Sequence, residues 1–243
     1  MIDYKTFTDP GDREINEDSL SVTEKNGAYC FILCDGLGGH GKGELASGFV
    51  TKYIADYFNS SESLEEFFID ALDKAQEGLL SEQKRIGSQF EMKTTAVVLV
   101  INGDEYQYAH IGDSRLYHFR KNKVLTRTLD HSVPQMLALA GDIKEKQIRS
   151  HPDRNRLLRV MGVDWDSPRY ERSDVGVLNN GDAFLLCSDG FWEPIVEKEM
   201  CKLLKKCKDV DEWLDNMSNT VEENGKGTNM DNYSAVAVIY REE

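Results

Sequence analysis

The chain has 243 residues, 40% of them hydrophobic and 30% charged, and its 43 acids against 29 lysines and arginines give a formal net charge of −14. That length can bury a substantial core, and that charge argues against nucleic acid, whose phosphates need clustered cations. No apolar run comes near the ~20 residues of a membrane span, and the start Met1-Ile-Asp-Tyr-Lys carries no signal-peptide core, so a cytoplasmic protein is expected.

In chain order, residues 29–34 read as a buried strand that ends on Asp35 and breaks into Gly36-Leu-Gly-Gly-His40-Gly-Lys42-Gly. From Glu44 on, Leu45, Ala46, Phe49, Val50, Tyr53, Ile54, Tyr57 and Phe58 recur at the helical period. A second helix, capped by Ser61 or Ser63, presents Leu64, Phe67, Phe68, Ala71, Leu72, Ala75 and Leu79 on one face. Residues 94–101 are strand-like, Asn102-Gly103 is a hairpin turn, and 105–111 is the returning strand. Gly112-Asp113-Ser114 turns the chain into 115–120, and Asn122 turns it into Val124-Leu125. A short helix is expected over 134–140, opened by Pro134 and stopped by Gly141. The polar stretch 142–168, broken at His151-Pro152 and Ser167-Pro168, reads as an excursion over the surface. A buried strand at 183–187 leads into Asp189-Gly190, helices follow at about 196–206 and 210–223, and 233–240 is a last strand. No repeat or linker interrupts this order, so residues 1–243 are expected to form a single domain. Its class is α+β, the hairpins implying antiparallel sheets with helices packed outside.

Three motif readings fit the glycine loop. Gly36, Gly38 and Gly41 spell a dinucleotide fingerprint, but that motif needs a second parallel strand ending in an acid, and here one helix leads into another with Asp56 inside the first. Gly36 to Lys42 nearly spells a P-loop, but Gly43 supplies no hydroxyl and the Asp35 carboxylate would repel phosphate. What remains is Asp35 as a ligand for Mg²⁺ or Mn²⁺, which prefer carboxylate and carbonyl oxygens. It has companions beside Gly, Asn or a turn: Glu17-Asp18, Asp113, Asp189 and Asp231-Asn232. One such pair is ordinary turn chemistry; several at the edges of apolar strands point to one cleft.

The five cysteines include no C-x-x-C pair, which disfavours structural zinc and fits reduced thiols. No C-x5-R motif is present, which disfavours a cysteine phosphatase.

The ordered set Arg13-x-x-Asn16-Glu17-Asp18, Asp35-Gly-x-Gly-Gly-His40, Thr94-Thr95-Ala96, Gly112-Asp113-Ser114-Arg115, Asp130-His131-Ser132, Cys187-Ser188-Asp189-Gly190 and Asp231-Asn232 carries a resemblance. It resembles the metal-dependent serine/threonine protein phosphatases of the PP2C (PPM) family, in their compact bacterial form, over about residues 10–240. The resemblance implies two packed antiparallel β-sheets flanked by pairs of α-helices on both faces, a four-layer αββα fold, with a flap at about 133–162. It implies two core Mn²⁺ or Mg²⁺ ions and a third, weaker one. Asp35 would bridge the core pair, with the Gly36 carbonyl on one ion and Glu17 holding that ion through water. Asp189 and Asp231 would hold the other, and Asp113 with Asp189 the third. Phosphoserine and phosphothreonine proteins would be hydrolysed by direct attack of a metal-bridging hydroxide. Arg13 would clamp the phosphate, since a guanidinium bonds two oxygens at once, and His40 would protonate the leaving oxygen.

The implied partners are phosphoproteins and a cognate serine/threonine kinase, with no nucleic acid or membrane, and the implied working state is a monomer. A phosphatase of small phosphomonoesters and a non-catalytic phosphoprotein-binding homologue are the alternatives. Two positions depart from the family: Lys93 stands where Gly is usual, and Phe191-Trp192 follows Ser-Asp-Gly where Leu is commoner. Lys42 is expected to be a solvated loop residue, and Thr94 and Thr95 to support the strand beneath the site. His110, His118, His131 and His151 are expected in structural or surface roles, with His131 at the flap base. Cys34 and Cys187, close to expected ligands, raise the question of oxidative sensitivity.

Overall fold

The computed structural model describes residues 1–37, 42–89 and 91–242. Its strands and helices run in the order β1 (Ile2–Asp9), β2 (Asp18–Lys25), β3 (Ala28–Leu37), α1 (Lys42–Ser60), α2 (Phe67–Ile86), β4 (Lys93–Thr94), β5 (Ala96–Asn102), β6 (Glu105–Ile111), β7 (Arg115–Arg120) and β8 (Lys123–Arg127). There follow α3 (Val133–Ala140), a 3-10 turn at Glu145–Ser150, β9 (Glu171–Arg172), β10 (Gly176–Val177), β11 (Ala183–Cys187), α4 (Asp189–Trp192), α5 (Glu197–Lys206), α6 (Val210–Gly225) and β12 (Tyr233–Tyr240). One sheet has the order β1-β12-β11-β7-β8 and the other β10-β6-β5-β3-β2, with β4 on β3 and β9 on β6; every pairing is antiparallel.

The two-residue period of a strand builds the layers. Along β3, Phe31 and Leu33 point between the sheets, where they meet Phe184 and Leu186 of β11 and Val236 and Val238 of β12. The alternate residues Cys30, Ile32 and Cys34 face α1 and α2 and pack against Val50, Ile54, Phe68 and Leu72. On the other sheet, Leu185, Cys187, Ala235 and Ala237 face Trp192, Met200, Trp213 and Met217 of α4, α5 and α6. The result is the expected four-layer αββα sandwich.

Four expectations are corrected. Neither serine caps α2: the helix begins at Phe67, Ser61 Oγ donates to Tyr57 O at the end of α1, and Ser63 Oγ accepts from Glu65 N. The 142–168 stretch is only partly a surface excursion. Ile148 and Met161 are buried, Met161 bridges to Thr94, and Gly162 is held by Gln76 and Gln83 of α2 at 2.8 Å each. Lys42 opens α1 rather than lying in a loop. No strand is expected before residue 29, yet β1 pairs with the whole of β12 and β2 with β3. Both are edge strands poor in apolar residues, held by a neighbour's backbone rather than by an apolar run of their own. The helix expected over 134–140 forms, capped by Ser132 Oγ on Gln135 N and closed by Gly141 at φ 85°.

Candidate active site

The sheet registers bring distant acids to one end of the sandwich. Cys187 lies opposite Arg115 on β7 and opposite Ala235 on β12, so Asp113 before β7, Asp189 after β11 and Asp231 before β12 are neighbours. Asp18 lies opposite Asp35, which brings Glu17 to the last turns of β3. A cleft of about 490 Å³ results, lined by Glu17, Asp35, Gly36, Asp113, Asp189 and Asp231, with Arg13, Asn155 and Leu157 also in its wall.

The backbone around Asp35 is tightly held. Asp35 N donates to Thr95 Oγ1 at 2.9 Å, while Thr94 Oγ1 and Thr95 N both donate to Asp35 O at 2.8 Å. The threonine pair supports the strand, as expected. Gly36 N donates to Glu17 O at 3.0 Å, and a β-carbon at Gly36 would lie 2.6 Å from that same oxygen and collide with the Gly43 carbonyl. Gly36 and Gly43 therefore serve close packing of β3, the Glu17 segment and α1.

The carboxylates repel one another in a buried setting. Burial, followed by the charges of Asp18, Asp189, Asp113 and Asp231, drives the Asp35 pKa well above the ordinary range. Burial and Asp189 do the same to Asp113. Asp189 is raised to about 6 by burial and Asp231, and burial raises Glu17. Asp18 is raised to about 7 by burial; Ser188 Oγ donates to its Oδ2 at 2.7 Å, but its buried Oδ1 has no partner among the described residues. Crowded, partly unsatisfied carboxylates fit a hard divalent metal, whose charge would offset their repulsion.

Arg13 reaches the cleft with its fork on Asp231, Nε to Oδ1 at 3.1 Å and Nη2 to Oδ2 at 3.0 Å. Both side chains are nearly half exposed, so this pairing is a solvent-screened contact rather than a structural anchor. His40 lies outside the described residues. Cys34 and Cys187 are fully buried; burial pushes the Cys34 thiol up to about 12 and the Cys187 thiol higher still. That corrects the concern over oxidation, because the reactive species is the thiolate.

Three residues at the site escaped the reading of single motifs. In the sequence Asp18 stands out only as a neighbour of Glu17; its register opposite Asp35 places it at the site. Asn232 closes the Arg13–Glu17 loop, accepting from Glu17 N at 2.8 Å and donating to Pro10 O and Ile15 O. Trp192, one of the two family departures, stacks on the guanidinium of Arg115 at 3.3 Å and donates from Nε1 to Asp113 O at 3.0 Å. Arg115 is in turn bonded to Asp130 through two nitrogens, at 2.8 and 2.7 Å.

The family profile of protein phosphatase 2C matches residues 11–233. The chain belongs to that family. The serine/threonine phosphatase stp of Listeria welshimeri is 30% identical to this phosphatase 2C chain over 211 residues, which is 84% of this chain and 82% of the relative. Among solved structures, serine/threonine phosphatase Stp1 from Staphylococcus aureus superposes with a TM-score of 0.90 at 27% identity, over 100% of this chain and 96% of that one. The catalytic domain of the serine/threonine protein phosphatase PstP, solved in complex with two manganese ions, superposes with a TM-score of 0.84 at 23% identity, over 99% of each chain. The αββα layers described above are the fold of these neighbours. Among the described residues no helix is long and apolar enough to cross a membrane.

Proposed function

We propose that the chain is a metal-dependent phosphatase of phosphoserine and phosphothreonine proteins, working by direct hydrolysis. The observation that carries the reading is the convergence of Glu17, Asp35, Asp113, Asp189 and Asp231 on one cleft with a bidentate arginine in its wall. Asp35, Asp189, Asp231 and the Gly36 carbonyl would hold two Mn²⁺ or Mg²⁺ ions, with Glu17 assisting and Asp113 with Asp189 serving a third. Bound there, such cations neutralise phosphoryl charge and make a water molecule nucleophilic near neutral pH.

The protein's own part is to bind, orient and protonate. Arg13 presents two parallel donors, which match two phosphate oxygens as they now match the two oxygens of Asp231. Water attacks phosphorus, the ester P–O bond breaks, and the leaving serine or threonine oxygen takes a proton. We assign that proton to His40 from its place in the Asp35-Gly-x-Gly-Gly-His40 loop.

Residues 1–243 act as one phosphatase domain, with the segment at about 133–162 as its flap. The cleft is assembled within one chain, which supports a working monomer, and a serine/threonine kinase must supply the substrates. Five free cysteines, three of them buried, support a reducing cytoplasmic setting. The test is phosphate release from a phosphothreonine peptide with Mn²⁺, compared with a small aryl phosphate. Turnover confined to the small ester, or peptide binding with no turnover, would overturn the reading. Asp35→Asn is expected to abolish turnover and leave the protein folded; wild-type activity in that variant would sink the two-metal assignment.

A further inference from the structure

Beside the cleft, under the flap, lies a cluster that the mechanism above does not use. His110 of β6 and Glu171 of β9 are register partners, and together with His131 they bring ligand-type atoms within 4.8 Å of one another. A metal ion is the first reading of such a cluster, and the tautomer of His131 argues against it. Gly112 N donates to His131 Nδ1 at 3.1 Å, so Nδ1 carries the lone pair and Nε2 carries the proton. Nε2 lies 3.2 Å from Glu171 Oε1, but outside hydrogen-bonding geometry. A ligating imidazole needs the reverse arrangement, with its lone pair on the metal and its N–H on a neighbouring acceptor.

We infer that His131 is a positioning residue for Asp113: it grips Gly112 from both sides and thereby aims the Asp113 carboxylate into the cleft, with the Gly112 N–H setting its tautomer. The inference rests on the reading of Asp113 as a metal ligand. The second grip is the backbone bond from His131 N to Gly112 O at 2.9 Å. Gly112 has φ +102°, and a β-carbon there would lie 2.5 Å from Thr95 Cγ2, so the turn is built for glycine and has little room to shift. On the far side of Asp113, its carbonyl is held by Trp192 Nε1. The peptide units on either side of Asp113 are thus pinned by two different parts of the chain.

His131 is itself well fixed. It is 6% exposed, and its ring stacks on His110 with centroids 4.7 Å apart and planes 8° apart. His110 Nε2 bonds Leu129 O at 2.9 Å, which anchors that ring in turn. Burial, then His110, lowers the His131 pKa to about 4, so near neutral pH the ring is uncharged and offers one acceptor and one donor. Leu158 N donates to His131 O at 2.8 Å, fastening the flap segment to the same residue. Partners of this kind, one step removed from a ligand, affect metal affinity about 10–100-fold when lost.

The experiment is calorimetric titration of Mn²⁺ into metal-free wild type, His131→Asn, His131→Gln and Asp113→Asn. An asparagine amide oxygen lies where Nδ1 lies and keeps an acceptor for Gly112 N–H; a glutamine amide reaches toward the Nε2 position and does not. The weakest Mn²⁺ step is expected to disappear in Asp113→Asn, to weaken about 10–100-fold in His131→Gln and to stay near wild type in His131→Asn. If Asp113→Asn alters the isotherm and His131→Gln does not, the metal assignment stands and the inference falls. If neither alters it, Asp113 leaves the metal set and the inference falls with it. An independent readout avoids variants that fail to fold. Nitrogen NMR of the metal-free wild type, labelled at histidine, is expected to show His131 protonated at Nε2, and a proton on Nδ1 overturns the inference.

Discussion

Asp189→Asn is expected to stabilise the metal-free protein while weakening it as a metal binder. Burial, then Asp231, lifts the Asp189 pKa in the folded state from 3.8 to about 6. A carboxyl raised in this way costs nothing below its unfolded pKa; the cost grows as pH climbs and is fully present above the folded value. The gap between 3.8 and about 6 is worth about 3 kcal/mol at pH 7.5 and about half that at pH 5. A chain of 243 residues loses stability by about 0.5 kcal/mol per degree near its midpoint, so these correspond to about 6 °C and about 3 °C.

Asparagine cannot ionise, yet keeps an oxygen for the Gly190 N–H that bonds this side chain. In EDTA the variant should therefore melt above wild type by about 6 °C at pH 7.5 and about 3 °C at pH 5. The buried histidines His110, His118 and His131, all lowered by burial, push stability the other way on acidification, but they are common to both proteins and cancel in the difference. With Mn²⁺ at a thousand times the wild-type Kd the order should reverse, because wild type then gains about 4.1 kcal/mol, more than the cost of about 3 kcal/mol that it carries at pH 7.5. Differential scanning calorimetry reads all four conditions. A variant that melts at or below wild type in EDTA at pH 7.5, or a gap that ignores pH, would refute the reasoning.

Other outcomes follow from the same geometry. Arg13→Ala should lower kcat/KM on a phosphothreonine peptide about 10–100-fold, the range of one or two charge-assisted hydrogen bonds, and Arg13→Lys should recover little because one ammonium cannot replace the fork; full recovery by lysine in steady-state assays would contradict the clamp. Trp192→Phe keeps a ring over Arg115 but removes the N–H to Asp113 O; a loss of about 1–3 kcal/mol by urea unfolding is expected, and no loss would mean that the indole bond is idle. Cys30, Cys34 and Cys187 should react with a thiol reagent only after unfolding, and labelling of any of them in the native protein, read by mass spectrometry, would contradict their burial. Phe184→Ala, which empties a ring site between the two sheets, should cost about 3–5 kcal/mol.

Much of the architecture was legible because it is written as local periodicity. The α1 face, the hairpin at Asn102-Gly103 and the helix closed by Gly141 are short-range patterns, and each appears where its residues place it. β1 and β2 were not legible, because an edge strand with few apolar residues has no periodic mark of its own and exists only through its partner's backbone. The caps proposed for α2 failed for a related reason: the helix begins only at Phe67, and Ser61 Oγ donates to Tyr57 O at the end of α1 instead of accepting from an N–H of α2.

At the site, the identities could be read along the chain: five acids beside turns, an arginine in Arg13-x-x-Asn16-Glu17-Asp18, and an order of motifs specific enough to resemble one family. How those groups act on one another follows from the fold. The sheet registers set Asp18 opposite Asp35 and Arg115 opposite Cys187, and so crowded the acids into one cleft. The pairing of Arg13 with Asp231, the grip of His131 on Gly112 and the bond from Trp192 to Asp113 likewise join residues brought together by the fold. Local sequence determines what a residue can donate, accept or ionise. Which atom meets it, and how far water is excluded around it, is settled when distant strands pair.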